Sequence, residues 1–169
     1  DAFQFSSNDL YTNYRFLQDL FQNEFASGNG EAMDLRIRKT IKAFIADAIL
    51  VPHPKLPDTY NMTSEGFRKL KCFAGFMASF LESYLVVLKY FSEIEKPPED
   101  GAARLKQIQQ LGAKLYKRQE IVRKEALSKI NYLNAVDYCL KSDITKSENG
   151  DVWHATVETI RMYIKYLPL

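Results

Sequence analysis

Histidine and cysteine are scarce in this 169-residue chain: His53, His154, Cys72 and Cys139 are all it has. So few histidines give poor material for a histidine-based metal site. Two cysteines without Cys-x-x-Cys spacing make neither a disulfide framework nor a zinc ribbon. A reducing compartment is therefore expected, with both thiols buried in their apolar helical contexts. With only 7 Gly and 6 Pro, collagen-like and low-complexity chains are excluded. No Gly-rich phosphate loop and no Gly-x-Ser-x-Gly elbow is present. Long uninterrupted apolar runs are lacking too, since the most apolar stretch, Cys72 to Tyr90, contains Glu82 and Lys89. Its aromatics (Phe73, Phe76, Phe80, Tyr84, Tyr90, Phe91) have helical spacing and read as core, not as a membrane span. The start at Asp1, with no initiator Met, leads us to expect an excerpt of a longer protein.

What is present is a globular composition, 46% hydrophobic, 26% charged and 13% aromatic, sufficient for one domain or two small ones. The prolines fall between periodic segments and act as punctuation. Apolar steps of three and four predict helices at about 9–26, capped by Asp9, at 31–48, and at 64–93. After Pro97-Pro98-Glu99-Asp100-Gly101, Leu105, Ile108, Leu111, Leu115 and Val122 mark another helix. The next, Ser128 to Lys141, carries Ile130, Leu133, Val136 and Leu140 inward. The last, Thr156 to Tyr166, carries Val157, Ile160, Ile164 and Leu167. Ile49-Leu50-Val51 and Thr59-Tyr60-Asn61-Met62 read as one pair of short strands. Ile144-Thr145-Lys146 and Asp151-Val152-Trp153-His154, joined at Asn149-Gly150, read as a second. The two halves thus repeat helix, helix, strand, strand, helix. The expected fold is mostly α, two winged-helix-like units joined by a long helix: 1–95, a linker at 96–101, and 102–169.

The modest net charge of +2 hides alternating blocks. Residues 35–75 hold eight bases against three acids, and 102–130 hold eight against two. The candidate contact surface is Arg36, Arg38, Lys39 and Lys42 in the first block, and Lys114, Lys117, Arg118, Arg123 and Lys124 in the second. Such groups suit anionic lipid headgroups or an acidic neighbouring domain. Duplex nucleic acid suits them less, because the helix of each unit that would enter a groove is mostly apolar or acidic. A solvated helix face accounts for the same pattern, and the aromatic stripe of the long helix fits a protein-interaction module. No catalytic or metal-ligating residue and no cofactor is assigned. His53 and Asp58 form His-x4-Asp, and Glu65 to Arg68 form Glu-Gly-x-Arg, patterns used for acyl transfer in glycerolipid acyltransferases. Here one sits in a proline-rich excursion and the other at an ordinary helix start, so both are read as coincidental.

Thr63-Ser64-Glu65-Gly66-Phe67-Arg68-Lys69-Leu70, followed by Phe80-Leu81-Glu82-Ser83-Tyr84-Leu85-Val86-Val87-Leu88, resembles the region C-terminal to the catalytic domain in membrane-associated glycerol-3-phosphate acyltransferases. The later order, a basic helix, then Ser128-Lys129-Ile130-Asn131-Tyr132-Leu133-Asn134-Ala135-Val136, then a final helix, is similar too. The resemblance implies a non-catalytic domain whose partner is the upstream catalytic domain of the same chain. It also implies peripheral association of the parent protein with a membrane on its cytoplasmic side. The family's catalytic block would lie upstream, so none of its catalytic residues carries over to this chain.

Overall fold

The computed structural model describes residues 4–25, 32–94, 96–142, 144 and 150–167. Among these stand six α-helices, one 3-10 helix and three short strands, so the chain is mostly helical. Two compact units emerge, Asp1–Phe73 and Ala74–Leu169, and the division falls inside the longest helix, upstream of 96–101.

The first unit runs β1 (Gln4–Ser6), α1 (Ser7–Leu20), α2 (Met33–Ala46), β2 (Leu50–Pro52), β3 (Thr59–Met62) and the start of α3 (Ser64–Glu93). β3 pairs antiparallel with both others, giving the order β1-β3-β2. Ala48, at φ 52, ends α2 in the left-handed region, and the Ile49 amide then reaches back to the Phe44 carbonyl at 2.8 Å. That turn brings Ile49 against the first turn of α3. Thr63 Oγ1 accepts the Gly66 amide at 2.9 Å and donates to the Ala48 carbonyl at 2.7 Å. A Cβ on Gly66 would meet the Ile49 backbone, so only glycine fits this approach. Among the described residues its buried apolar side chains are few: Leu20, Phe21, Ile37, Ile41, Ile49 and Leu50.

The second unit comprises the rest of α3, α4 (Gly101–Lys117), a 3-10 turn (Lys124–Leu127), α5 (Lys129–Lys141) and α6 (Gly150–Tyr166). Asp100 caps α4 by accepting the Ala102 and Ala103 amides, and Arg104 donates to the Pro98 carbonyl at 2.8 Å. The core is dense. Leu81, Tyr84, Val86, Val87 and Leu88 of α3 are buried together with Ile108, Ile121, Tyr132, Ala135, Cys139 and Ile160. Each of the leucines, valines and isoleucines contributes roughly 1.5–3 kcal/mol by leaving water. The Tyr132 ring lies against Gly112, where a Cβ would strike its hydroxyl, and burial pushes its phenol up to about 12.

Several expectations need correction. Asp9 is not the cap of α1. Ser6 is, and Asp9 closes the capping box by accepting the Ser6 amide at 2.9 Å. The strand β1 had no counterpart in the sequence reading. Asp151, Val152, Trp153 and His154 are helical, forming the first turn of α6 and not a strand. Of the rest of that expected hairpin, Ile144 lies in a turn and Gly150 opens α6, while residues 145–149 lie outside the described residues. The phase of α5 is rotated. Asn131, Tyr132, Ala135, Tyr138 and Cys139 face inward, while Ile130 (69%), Leu133 (46%) and Leu140 (50%) are exposed. Buried aromatics outweigh aliphatics here, with Tyr138 set against Tyr84 at 6.0 Å between ring centroids. On α3, Phe73 and Phe76 are exposed, as is Cys72, whereas Cys139 is buried and its thiol is pushed up to about 12.

Candidate functional site

The return from α2 into β2 places the β2–β3 loop beside α2. Tyr11, Arg38, Lys42, His53, Asp58 and Tyr60 line a hollow of about 740 Å³ there. Two sets of residues that are remote in sequence, the cations of α2 and the His-x4-Asp pattern, therefore share one wall. The Arg38 guanidinium hydrogen-bonds the Tyr11 hydroxyl and lies 3.8 Å from Asp34, and both contacts, Tyr11 first, hold its pKa above the ordinary value. Lys42 is exposed. His53 Nδ1 accepts the amides of Lys55 at 3.1 Å and Leu56 at 3.0 Å. The ring nitrogen therefore holds the loop in shape, and its lone pair is occupied. Asp58 sits at φ 49 and its carbonyl accepts the Ser7 amide at 2.8 Å. Arg38 and Lys42 thus share the hollow with Asp58 and with a histidine whose Nδ1 is engaged by its own loop.

Of the other first-block cations, Arg36 donates to the Tyr14 hydroxyl at 3.0 Å, and neither it nor the exposed Lys39 lines the hollow. Arg68 pairs with Glu65 at 2.6 Å on the open surface of α3. Glu-Gly-x-Arg is thus a helix start with an exposed ion pair, and its glycine is explained by the contact with Ile49.

In the second block, Lys114 and Lys117 occupy the last turn of α4, with Arg118 at its C-cap 3.8 Å from Glu120. Cations there complement the helix dipole. Lys124 is exposed in the 3-10 turn. Arg123 departs from the expected surface: it turns onto Glu82, 3.7 Å away, and its side chain is only 18% exposed.

Glu82 is the polar residue that the sequence left unassigned. Its carboxylate, 2% exposed, accepts the amides of Val122 at 3.2 Å and Arg123 at 2.9 Å. Beside it, Ser83 donates to the Ala126 carbonyl at 2.9 Å and accepts from Asn131 at 3.3 Å. Consecutive side chains of α3 thereby fasten the whole α4–α5 connection. The available signal was a lone acid between Leu81 and Tyr84 on an otherwise apolar helix. By length and composition α3 is the one helix among the described residues that could cross a membrane. Its segment from Leu81 to Leu88 is nonetheless packed inside this unit.

The sequence pattern of one known family, described as the glycerol-3-phosphate acyltransferase C-terminal region, matches residues 1–148. No curated protein and no solved structure matches the chain. The match takes in the hollow of the first unit, the Glu82 anchor and α5, and it ends before α6.

Proposed function

The chain belongs to the glycerol-3-phosphate acyltransferase C-terminal family, and from that premise we propose that it is the non-catalytic domain of a glycerol-3-phosphate acyltransferase-like enzyme, one that supports the catalytic domain and contacts an anionic membrane surface. The observation that carries this reading is the use made of the acyltransferase-like residues: His53 shapes a loop, Gly66 permits a helix contact and Arg68 makes a surface pair. Each unit has its own cationic face. Arg38 and Lys42 serve the first, and Lys114, Lys117, Arg118 and Lys124 serve the second. Near an anionic bilayer each cation contributes about 1 kcal/mol. The exposed aliphatic stripe of α5, Ile130, Leu133 and Leu140, supports contact with the upstream catalytic domain. Localisation is then peripheral, on the cytoplasmic side.

Cosedimentation tests this directly. The chain should bind vesicles containing phosphatidylglycerol and not pure phosphatidylcholine, with loss of binding when Lys117, Arg118 and Lys124 are neutralised. Equal behaviour with both vesicles would contradict the membrane role.

A winged-helix reading is retained for the first unit, supported by the strand order β1-β3-β2 with α2 preceding β2. Nucleic acid is a poorer partner, because α2 carries Asp34 and an exposed Leu35 beside its cations. Salt-dependent duplex binding weakened by neutralising Arg36, Arg38 and Lys39 would favour it over the membrane.

A further inference from the structure

Within the second unit, α3, the end of α4 with the turn after it, and α6 enclose a hollow of about 520 Å³. That lies inside the roughly 300–1,000 Å³ range of small-molecule sites. Leu85, Leu115, Ile121, Trp153, Val157 and Ile164 make its wall apolar. Arg161 and Lys165, one turn apart on α6, make one end cationic. Arg161 pairs with Glu158 of its own helix, at 2.9 Å in an exposed and therefore exchangeable contact, and Lys165 is exposed. The third lining cation, Lys89, is already matched by Glu120 at 2.7 Å and Glu93 at 4.0 Å. The wall itself thus carries three cations, Lys89, Arg161 and Lys165, against two carboxylates, Glu93 and Glu120, and its excess of positive charge comes from α6, because Glu158 is not part of the lining. From Trp153 to Lys165 the helix advances about 18 Å, at roughly 1.5 Å per residue.

We propose that this hollow binds a single-chain anionic amphiphile, a long-chain fatty carboxylate. Its tail lies along Leu85, Ile121, Trp153 and Val157, and its carboxylate meets Arg161 and Lys165. The apolar wall selects against small polar anions, and the paired cations select against neutral tails. Nothing in this assignment depends on the basic faces proposed for membrane contact, so vesicle binding and carboxylate binding succeed or fail independently.

The sole tryptophan of the chain is in the wall, and its fluorescence reports occupancy. Titration with a tail-brominated long-chain fatty acid below its critical micelle concentration should quench Trp153 saturably, with one-to-one stoichiometry. The methyl ester should bind about tenfold more weakly, and the double variant Arg161→Gln, Lys165→Gln should lose about tenfold for the acid and nothing for the ester. Val157→Phe, which fills the hollow, should abolish saturable quenching while the circular dichroism stays helical. Linear, unsaturable quenching would overturn the assignment. So would equal affinity for acid and ester, or an acid affinity unchanged in the double variant.

Discussion

The two units begin from similar sequence patterns and solve their packing differently. In the first, a strand pair at Leu50–Pro52 and Thr59–Met62 becomes a sheet because Gln4–Ser6 supplies a third strand. In the second, the residues expected to form a strand after Asn149-Gly150 continue the period of α6, and Trp153, Val157, Ile160 and Ile164 fall on one stripe. A two-stranded hairpin is marginal without a further strand or a packed face, whereas a helix with a long apolar stripe stabilises itself against a core. The cores differ accordingly. The first unit is held by a handful of buried side chains and close backbone contacts, the second by a dense apolar core and a buried carboxylate.

The largest expected effect tests that carboxylate. Glu82→Ala removes the acceptor of the Val122 and Arg123 amides and the carboxylate facing the Arg123 guanidinium, and should cost about 3–5 kcal/mol in urea denaturation. Glu82→Gln, which keeps an acceptor, should cost less. Equal stability of Glu82→Ala and the parent chain would remove the anchor from the account.

Next comes a glycine pair on α3. Gly66→Ala forces a Cβ into the Ile49 backbone and should cost about 1–3 kcal/mol. Gly75→Ala meets open space and should stabilise the helix by roughly 0.5–1 kcal/mol. Thermal melts of the two variants shifting in the same direction would contradict the close approach at Gly66.

How much of this was legible follows from the range of the interactions. The span of α3 could be read from its own periodicity, and the strands β2 and β3 from local pattern and prolines. β1 is as short as β2 but has a single apolar residue, Phe5, between polar ones and no neighbouring proline, so nothing local marks it. On α5 the aliphatic residues suggested the wrong face, because the deciding contacts of Tyr132 with Gly112 and Tyr138 with Tyr84 are remote in sequence. The same limit applies to the candidate site. The basic blocks were visible as composition, but the engagement of Arg123 by Glu82 and the meeting of Arg38 and Lys42 with the His53 loop depend on the fold.

A similarly small effect sharpens the edge of the first unit. Ser6→Ala should cost about 1 kcal/mol by opening the capping box of α1. The Ser6 hydrogen bonds, side chain first, hold the Asp9 carboxyl below its ordinary value of 3.8. Its contribution is therefore present above that pH and lost as the pH falls through the lower folded value. Amide exchange near α1 should accelerate in that acid range in the parent chain, and should lose this pH dependence in Asp9→Asn.

Acyl transfer measured on the chain itself tests the central claim most directly. Incubated with a long-chain acyl-CoA and glycerol 3-phosphate, it should form no acylglycerol phosphate above the enzyme-free blank, because His53 is committed to its loop. Turnover that disappears in His53→Ala would contradict a non-catalytic domain.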